Sequence, residues 1–144
     1  MRRALWPECG VEDQLCEIAD ILGRLGDQAV FVAVRPSGSL GGFLEISLRS
    51  SAAGCRTSKV GYVEGWYVDP DVRREGTGQM LMDAAEAWSR GRGCLEMASD
   101  ATVENHASIA AHLALGFREV ERSVNFHKQL SPIARGDVAD GSGI

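Results

Sequence analysis

Cysteine is scarce and unpatterned in this sequence: Cys9, Cys16, Cys55 and Cys94 are the only four, and no two stand at a Cys-x-x-Cys spacing. With no apolar leader ahead of them, that scatter argues against a disulfide framework and against a metal site, and it predicts reduced thiols in the cytoplasm. No apolar run is long enough to cross a membrane. Basic residues are outnumbered, with 15 Lys and Arg against 20 Asp and Glu, a net charge of -5. That balance argues against a nucleic-acid surface, which needs clustered cations, and suits a cationic ligand better. The three histidines, His106, His112 and His127, form no recognisable triad with a Ser or Cys. His106 and His112 are expected as exposed or cap-adjacent helix residues, and His127 stays unassigned. No internal repeat or interdomain linker is found.

What is present fits one globular domain. A chain of 144 residues, 44% hydrophobic and 24% charged, can bury a sizeable core. The domain is expected over residues 1–130, with a Gly-, Asp- and Ser-rich flexible tail over 131–144. Residues 12–25 place Leu15, Ile18, Ala19, Leu22 and Leu25 at helical spacing, which predicts an amphipathic helix. Residues 29–34 and 40–48 are apolar or alternating and flank "PSGS", which predicts a hairpin. A strand over 60–68 follows, with Gly61 and Gly65 as bulge or close-approach positions. Then come a helix over 77–90, a strand over 94–98, a helix over 104–115 ending at Gly116, and a strand over 117–130.

The junction between the strand over 60–68 and the next helix carries the chemistry. "VDPDVRREGTGQM" sets two arginines and two glycines where a strand turns into a helix. The first N–H groups of a helix lack partners and its dipole favours an anion there, so such a turn is suited to phosphate. A P-loop needs Lys-Ser/Thr after the second glycine, and a dinucleotide fingerprint needs a third glycine where Leu81 stands. Two carboxylates lie nearby in the pattern. Glu64 interrupts an apolar strand beside a glycine, a costly place for a charge without a purpose or partner. Asp100 sits just past the end of the adjoining strand, where a parallel-type sheet presents functional groups.

Arg73-x-x-Gly76-x-Gly78 resembles the acetyl-CoA signature of the GNAT superfamily of N-acetyltransferases, and the predicted element order agrees with that fold once its first strand is taken away. The resemblance extends to one branch, the bacterial aminoglycoside 6'-N-acetyltransferases. It rests on "LWP" at residues 5–7, "EG" at Glu64 and Gly65, "EMASD" at 96–100, "EN" at Glu104 and Asn105, and "ALGF...ER" over 114–122. The fold implied is an α/β (α+β) GNAT fold, a mixed central sheet flanked by helices, with the first strand missing or truncated. The activity implied is direct acetyl transfer from acetyl-CoA to a primary amine of an aminoglycoside, conferring resistance, in a homodimer. Acetylation of a polyamine or protein amine, and a catalytically silent acyl-CoA-binding module, stay open as alternatives.

Carried over by position, the resemblance places Trp66, Tyr67 and Val68 along the acetyl-pantetheine arm. It places Arg73, Arg74, Glu75, Gly76, Thr77, Gly78 and Gln79 around the pyrophosphate, and Asn105 against the cofactor. Trp6, Glu64, Asp100 and Glu121 are then expected to line the aminoglycoside site, with Glu64 the water-relayed base and Asp100 orienting the amine or sharing the base's task. Asn105 also suits a plain helix cap. The pattern departs from the family at Phe126, which stands where many acetyltransferases have a tyrosine general acid.

Overall fold

The computed structural model describes residues 1–23 and 26–132. The expected helix end at Leu25 and most of the expected tail therefore lie outside the described residues. Helices α1 (Arg2–Leu5) and α2 (Val11–Gly23) precede strands β1 (Gln28–Val34), β2 (Leu40–Arg49) and β3 (Val60–Val68). Helix α3 (Thr77–Gly91), strand β4 (Glu96–Ser99) and helix α4 (His106–Ala114) complete the order. The sheet runs β1-β2-β3-β4. Its first two pairings are antiparallel and β3–β4 is parallel, the latter joined by α3 because a parallel pair needs a long crossover.

The β1–β2 hairpin closes on "PSGS" as the pattern predicts: Gly38 adopts φ 86° and its N–H donates to the Arg35 carbonyl at 2.8 Å. One sheet face packs against α3. Leu44 and Ile46 of β2, Val63 of β3, and Leu81, Met82 and Ala85 of α3 form the buried cluster, with Ala29, Phe31, Ala33, Trp66, Val68 and Phe117 packed around it. Each fully buried aliphatic side chain there stabilises the fold by about 1.5–3 kcal/mol.

The spacing of those β3 residues is uneven. Val63, Trp66 and Val68 share the core face, so one extra residue stands between 63 and 66. The ladder shows it: Glu45 of β2 is opposite Gly65 while Ile46 is opposite Val63, which leaves Glu64 as the unpaired residue of a β-bulge. A bulge re-aims side chains and flips the alternation beyond it. The glycine-flanked irregularity expected in this strand is thus found at Glu64.

One expectation is corrected. Residues 117–130 form no strand. Val120, Val124, Phe126 and Leu130 are 56 to 94% exposed, because an alternating pattern gives only the propensity to pair and a strand also needs a neighbour. The apolar stripe of α2 is likewise uncovered at Val11, Leu15 and Ile18. The short helix α1, unannounced by any periodicity, is the other addition.

Candidate active site

The sheet face away from α3 is polar and carries charge in a row. Alternation on β2 puts Phe43, Glu45, Ser47 and Arg49 on this face, and the β3 bulge adds Tyr62, Glu64, Gly65 and Tyr67. Helix α1 lies over it. The Trp6 ring rests on Gly65, where an added Cβ would fall 2.4 Å from the ring, and it meets Phe43 at 6.1 Å between centroids. Only glycine permits that contact, which explains the Glu64-Gly65 pair in the sequence.

Two arginine–glutamate pairs organise the row. Arg2 donates to Glu45 and Glu17, both at 2.5 Å, and stacks over Trp6 at 4.8 Å. Arg2 and Glu45 side chains are 14% and 8% exposed. Burial pushes the Glu45 carboxyl above the usual carboxylate range, and the Arg2 charge offsets this only in part. The second pair is open to solvent: Arg49 donates through Nε and Nη2 to the two Glu64 oxygens at 3.0 and 2.7 Å. The Ser47 hydroxyl donates to the same carboxylate at 2.5 Å. The Arg49 guanidinium also lies 3.4 Å over the Tyr62 ring, and the Tyr62 hydroxyl donates to Asp100 at 2.8 Å. Burial, then that hydrogen bond, pushes the Tyr62 phenol up to about 12, so it remains a donor at neutral pH. A cavity of about 420 Å³ opens between this row and α2, with Trp6, Glu17, Glu45 and Glu64 among its walls.

The junction after β3 has the geometry of an anion cradle. Gly76 is the N-cap of α3 at φ 83°, with no side-chain cap bond, and Arg74 shares the left-handed region at φ 62°. The space beside Gly76 is open. Helix α3 therefore presents its first N–H groups, with their partial positive charge, to an open surface. Gly78 serves another purpose, since a Cβ there would come within 2.9 Å of the Trp66 ring. The loop is held from behind: Arg35 bonds Asp69 and Asp71 at 2.8 and 2.7 Å, and Arg73 Nε donates to the Val68 carbonyl at 2.8 Å. Arg73, Arg74, Glu75 and Gln79 are exposed, Thr77 half-buried.

Between cradle and row, the sheet splays. Strand β4 pairs with β3 only from Val60 to Val63, so residues 64–68 have β2 on one side and no strand on the other. Backbone N–H and C=O groups of an unpaired edge are available to an extended ligand. Glu64, Trp66, Tyr67 and Val68 all lie on this free stretch.

Such a splayed strand leading into a glycine cradle accommodates a long thioester whose far end carries phosphates. The comparisons agree. Residues 1–117 match the Acetyltransferase (GNAT) family. This chain belongs to the GNAT acetyltransferases. It is 47% identical over 132 residues to an aminoglycoside N(6')-acetyltransferase type 1 from Klebsiella aerogenes, covering 90% of this chain and 87% of that protein. A protein of the same description from Stenotrophomonas maltophilia is 42% identical over 93% of this chain and 86% of its own length. The solved structure of AAC(6')-Iy with the bisubstrate analogue CoA-S-monomethyl-acetylneamine superposes with a TM-score of 0.83 at 36% identity, over 90% of this chain and 88% of that one.

Within this GNAT chain, Trp6, Glu64 and Asp100 are brought to one region, linked through Gly65 and through Arg49 and Tyr62. Glu121 is not: it lies exposed on the extended segment after α4, outside the cavity that Trp6 and Glu64 line. Its placement was carried over from the family pattern, and no described element of this single chain brings it to the other three. Asn105 is the N-cap of α4, its side-chain oxygen accepting from the Ser108 N–H at 3.1 Å, which leaves its amide group for any ligand. Sequence reasoning missed Glu45, Ser47, Arg49 and Tyr62. Their alternation on β2 and β3 was visible, but nothing in it told which face was the site. His112, expected as exposed or cap-adjacent, stands in the last turn of α4 and is half-buried: its ring bonds Ser99 Oγ at 2.9 Å and packs edge-on against Trp66 and Phe117.

Proposed function

We propose that this chain is an aminoglycoside 6'-N-acetyltransferase, moving the acetyl group of acetyl-CoA directly to a primary amine of the drug. The observation that carries this reading is Glu64 at the β3 bulge. It lies on the acidic face and on the same free strand that runs into the Gly76 cradle. One strand thus serves both substrates. The identity to aminoglycoside acetyltransferases over nine tenths of the chain supports the substrate class.

Acetyl-CoA fits the residues present. Residues 73–79 hold its pyrophosphate at the uncapped start of α3, and 66–68 lie beside its pantetheine arm. When bound it supplies an activated acetyl thioester. The protein's own residues do the rest. The amine must lose a proton: at an amine pKa of about 8–9, about 1–10% is neutral at pH 7, a handicap of about 1.4–2.7 kcal/mol. Glu64, acting through water, accepts that proton, and Asp100, held by Tyr62, orients the ammonium. The Asp69 N–H donates to the Gly41 carbonyl, so alternation turns the Trp66 and Val68 N–H groups to the free edge, where they donate to a developing oxyanion. Phe126 has no proton to give, and a thiolate of pKa about 8.5 leaves without an acid. Release of CoA thiol in the presence of an amine panel of aminoglycosides, polyamines and peptides tests the reading. Turnover with polyamines or peptides alone replaces the substrate, and acetyl-CoA binding without any turnover replaces the reaction.

A homodimer is part of the proposal. Strands β1 and β4 leave free edges among the described residues, and apolar side chains stand uncovered on α2, on β1 and along 118–130. A second copy covers them best, since a free sheet edge pairs readily. Light scattering giving a single 15.5 kDa species across micromolar concentrations would refute it. No helix among the described residues is long and apolar enough to cross a membrane. The free thiols at Cys9, Cys16, Cys55 and Cys94 suit a cytoplasmic setting.

A further inference from the structure

We infer that Arg49 determines affinity and selectivity for the amine, because its guanidinium occupies Glu64 in the free protein and the incoming ammonium must displace it. This rests on the proposal that Glu64 faces the amine. The geometry is that of an internal stand-in for substrate. Both Glu64 oxygens are taken by one planar cation at 3.0 and 2.7 Å, the same acceptors an ammonium would use. The cation lies 3.4 Å over Tyr62, which bonds Asp100. Arg49 thereby holds one of the carboxylates assigned to the substrate directly and is linked to the other through Tyr62.

The second arginine pair on the same face shows why Arg49 and not Arg2 is the one to exchange. Arg2 and Glu45 are 14% and 8% exposed and anchored further by Glu17 and Trp6. Breaking a buried pair strands a charge. Arg49 and Glu64 are 43% and 35% exposed, so water can solvate each partner as the pair opens, and such pairs are held weakly. Arg2 fixes the wall, and Arg49 guards the acid. The Tyr62 ring offers the released guanidinium a place to rest without leaving the site. An amine presenting one cation competes with Arg49 on equal terms, whereas a polycation also meets the rest of the cavity wall. There Asp20 and the half-exposed Glu17 stand, and the single Arg2 cation leaves a net negative charge over Glu17, Asp20 and Glu45. Arg49 therefore favours polycationic amines over simple ones.

The test compares wild type with Arg49→Met, which keeps an apolar stem over Tyr62 but loses the fork, and with Arg49→Lys, which keeps one charge. Steady-state kinetics with kanamycin and with a monoamine, and calorimetric titration of kanamycin without acetyl-CoA, are measured on each. Arg49→Met is expected to bind kanamycin about tenfold more tightly and to lower KM similarly. The monoamine should gain more than kanamycin does, with Arg49→Lys intermediate and the KM for acetyl-CoA unchanged. In a Glu64→Gln background the Arg49→Met gain should vanish, a coupling that a merely structural Arg49 would not give. Kanamycin affinity that is unchanged or weakened in Arg49→Met overturns the inference, as does the absence of kanamycin binding to every variant. Tighter binding with no acetylation in any variant keeps the Arg49 role and removes the proposed reaction.

Discussion

Replacing Gly76 separates the cradle's binding role from its structural one. Its φ of 83° costs an L-residue about 1–2 kcal/mol, and nothing lies within 4 Å of an added Cβ, so strain is the whole packing penalty. Asparagine tolerates this region best, and both Asn and Asp are good N-caps. An aspartate at the N-cap also gains about 0.3–1 kcal/mol from the dipole of α3. Gly76→Asp should therefore lose at most about 1–2 kcal/mol of folding stability, close to Gly76→Asn. Cofactor binding should divide them. A carboxylate about 4 Å from a phosphate repels it by about 4 kcal/mol at an effective dielectric constant of 20, and it also satisfies the N–H groups the phosphate needs. Allowing for screening, acetyl-CoA affinity should fall at least about 100-fold in Gly76→Asp and only a few-fold in Gly76→Asn. Calorimetric titration paired with thermal melting of both variants measures the two effects. Equal affinities for Asp and Asn variants would refute the cradle, as would a Gly76→Asp protein that binds like wild type.

Glu64→Gln should lower kcat by about 10² to 10⁴, the usual worth of general-base assistance, with acetyl-CoA affinity unchanged and partial rescue at higher pH; wild-type kcat would remove Glu64 from catalysis. Asp100→Asn should raise the amine KM and lower kcat together, by the loss of a charge-assisted bond of about 1.5–3 kcal/mol, which steady-state kinetics would show. Gly65→Val should expel Trp6 from its seat and raise the amine KM while leaving acetyl-CoA titration alone; quenching of Trp fluorescence by acrylamide reports the displaced ring. Glu96 is held below the usual carboxylate range by the Thr57 hydroxyl, then by the N–H groups of Thr57 and Arg56. Its folded-state pKa being depressed, its contribution is present above the unfolded value and lost as pH falls through the folded one. Denaturant melts of wild type and Glu96→Gln should therefore differ at neutral pH and converge in acid.

Much of this architecture was legible because each element carried its own signal. Strand β3 was bounded correctly by its apolar run, and α3 by the glycines that start it and "GRG" that ends it. The cradle was legible for the same reason, since a left-handed N-cap demands glycine locally. Long-range features were not. That Arg49 would meet Glu64 depends on the β2–β3 register, and register depends on a bulge that composition does not mark. The strand expected over 117–130 failed for the complementary reason: its pattern is local, but the edge that would complete it is not. Glu121, on the same segment, stands apart from the other expected site residues in the single chain. The cap-adjacent place of His112 was legible, but its enclosure was not, because Ser99 and Trp66, which hold its ring, are distant in sequence.

The bulge at Glu64 explains how one short strand meets two chemical demands. In a regular strand, residues on a face alternate, so Glu64 and Gly65 would point to opposite sides and Tyr67 would follow Val63 into the core. Inserting one residue puts Glu64 and Gly65 on the same face. The bare Gly65 backbone then seats Trp6 directly beside the carboxylate, giving the acidic wall an apolar floor. The same insertion turns Trp66 and Val68 inward, where Trp66 packs against Gly78 and ties the cradle to the sheet. Deleting Glu64 would heal the bulge: Val63 opposite Ile46 and Gly65 opposite Glu45 would then be consecutive, and Gly65, Trp66, Tyr67 and Val68 would keep their present faces. A deletion at 64 should therefore cost little more than the carboxylate itself: turnover should fall as in Glu64→Gln, with acetyl-CoA titration and the Trp6 seat preserved. An inserted residue after Val68 would leave them alone, whereas one between Val63 and Glu64 would turn Trp66 out of the core. Loss of acetyl-CoA binding in the deletion variant would refute this account of the bulge.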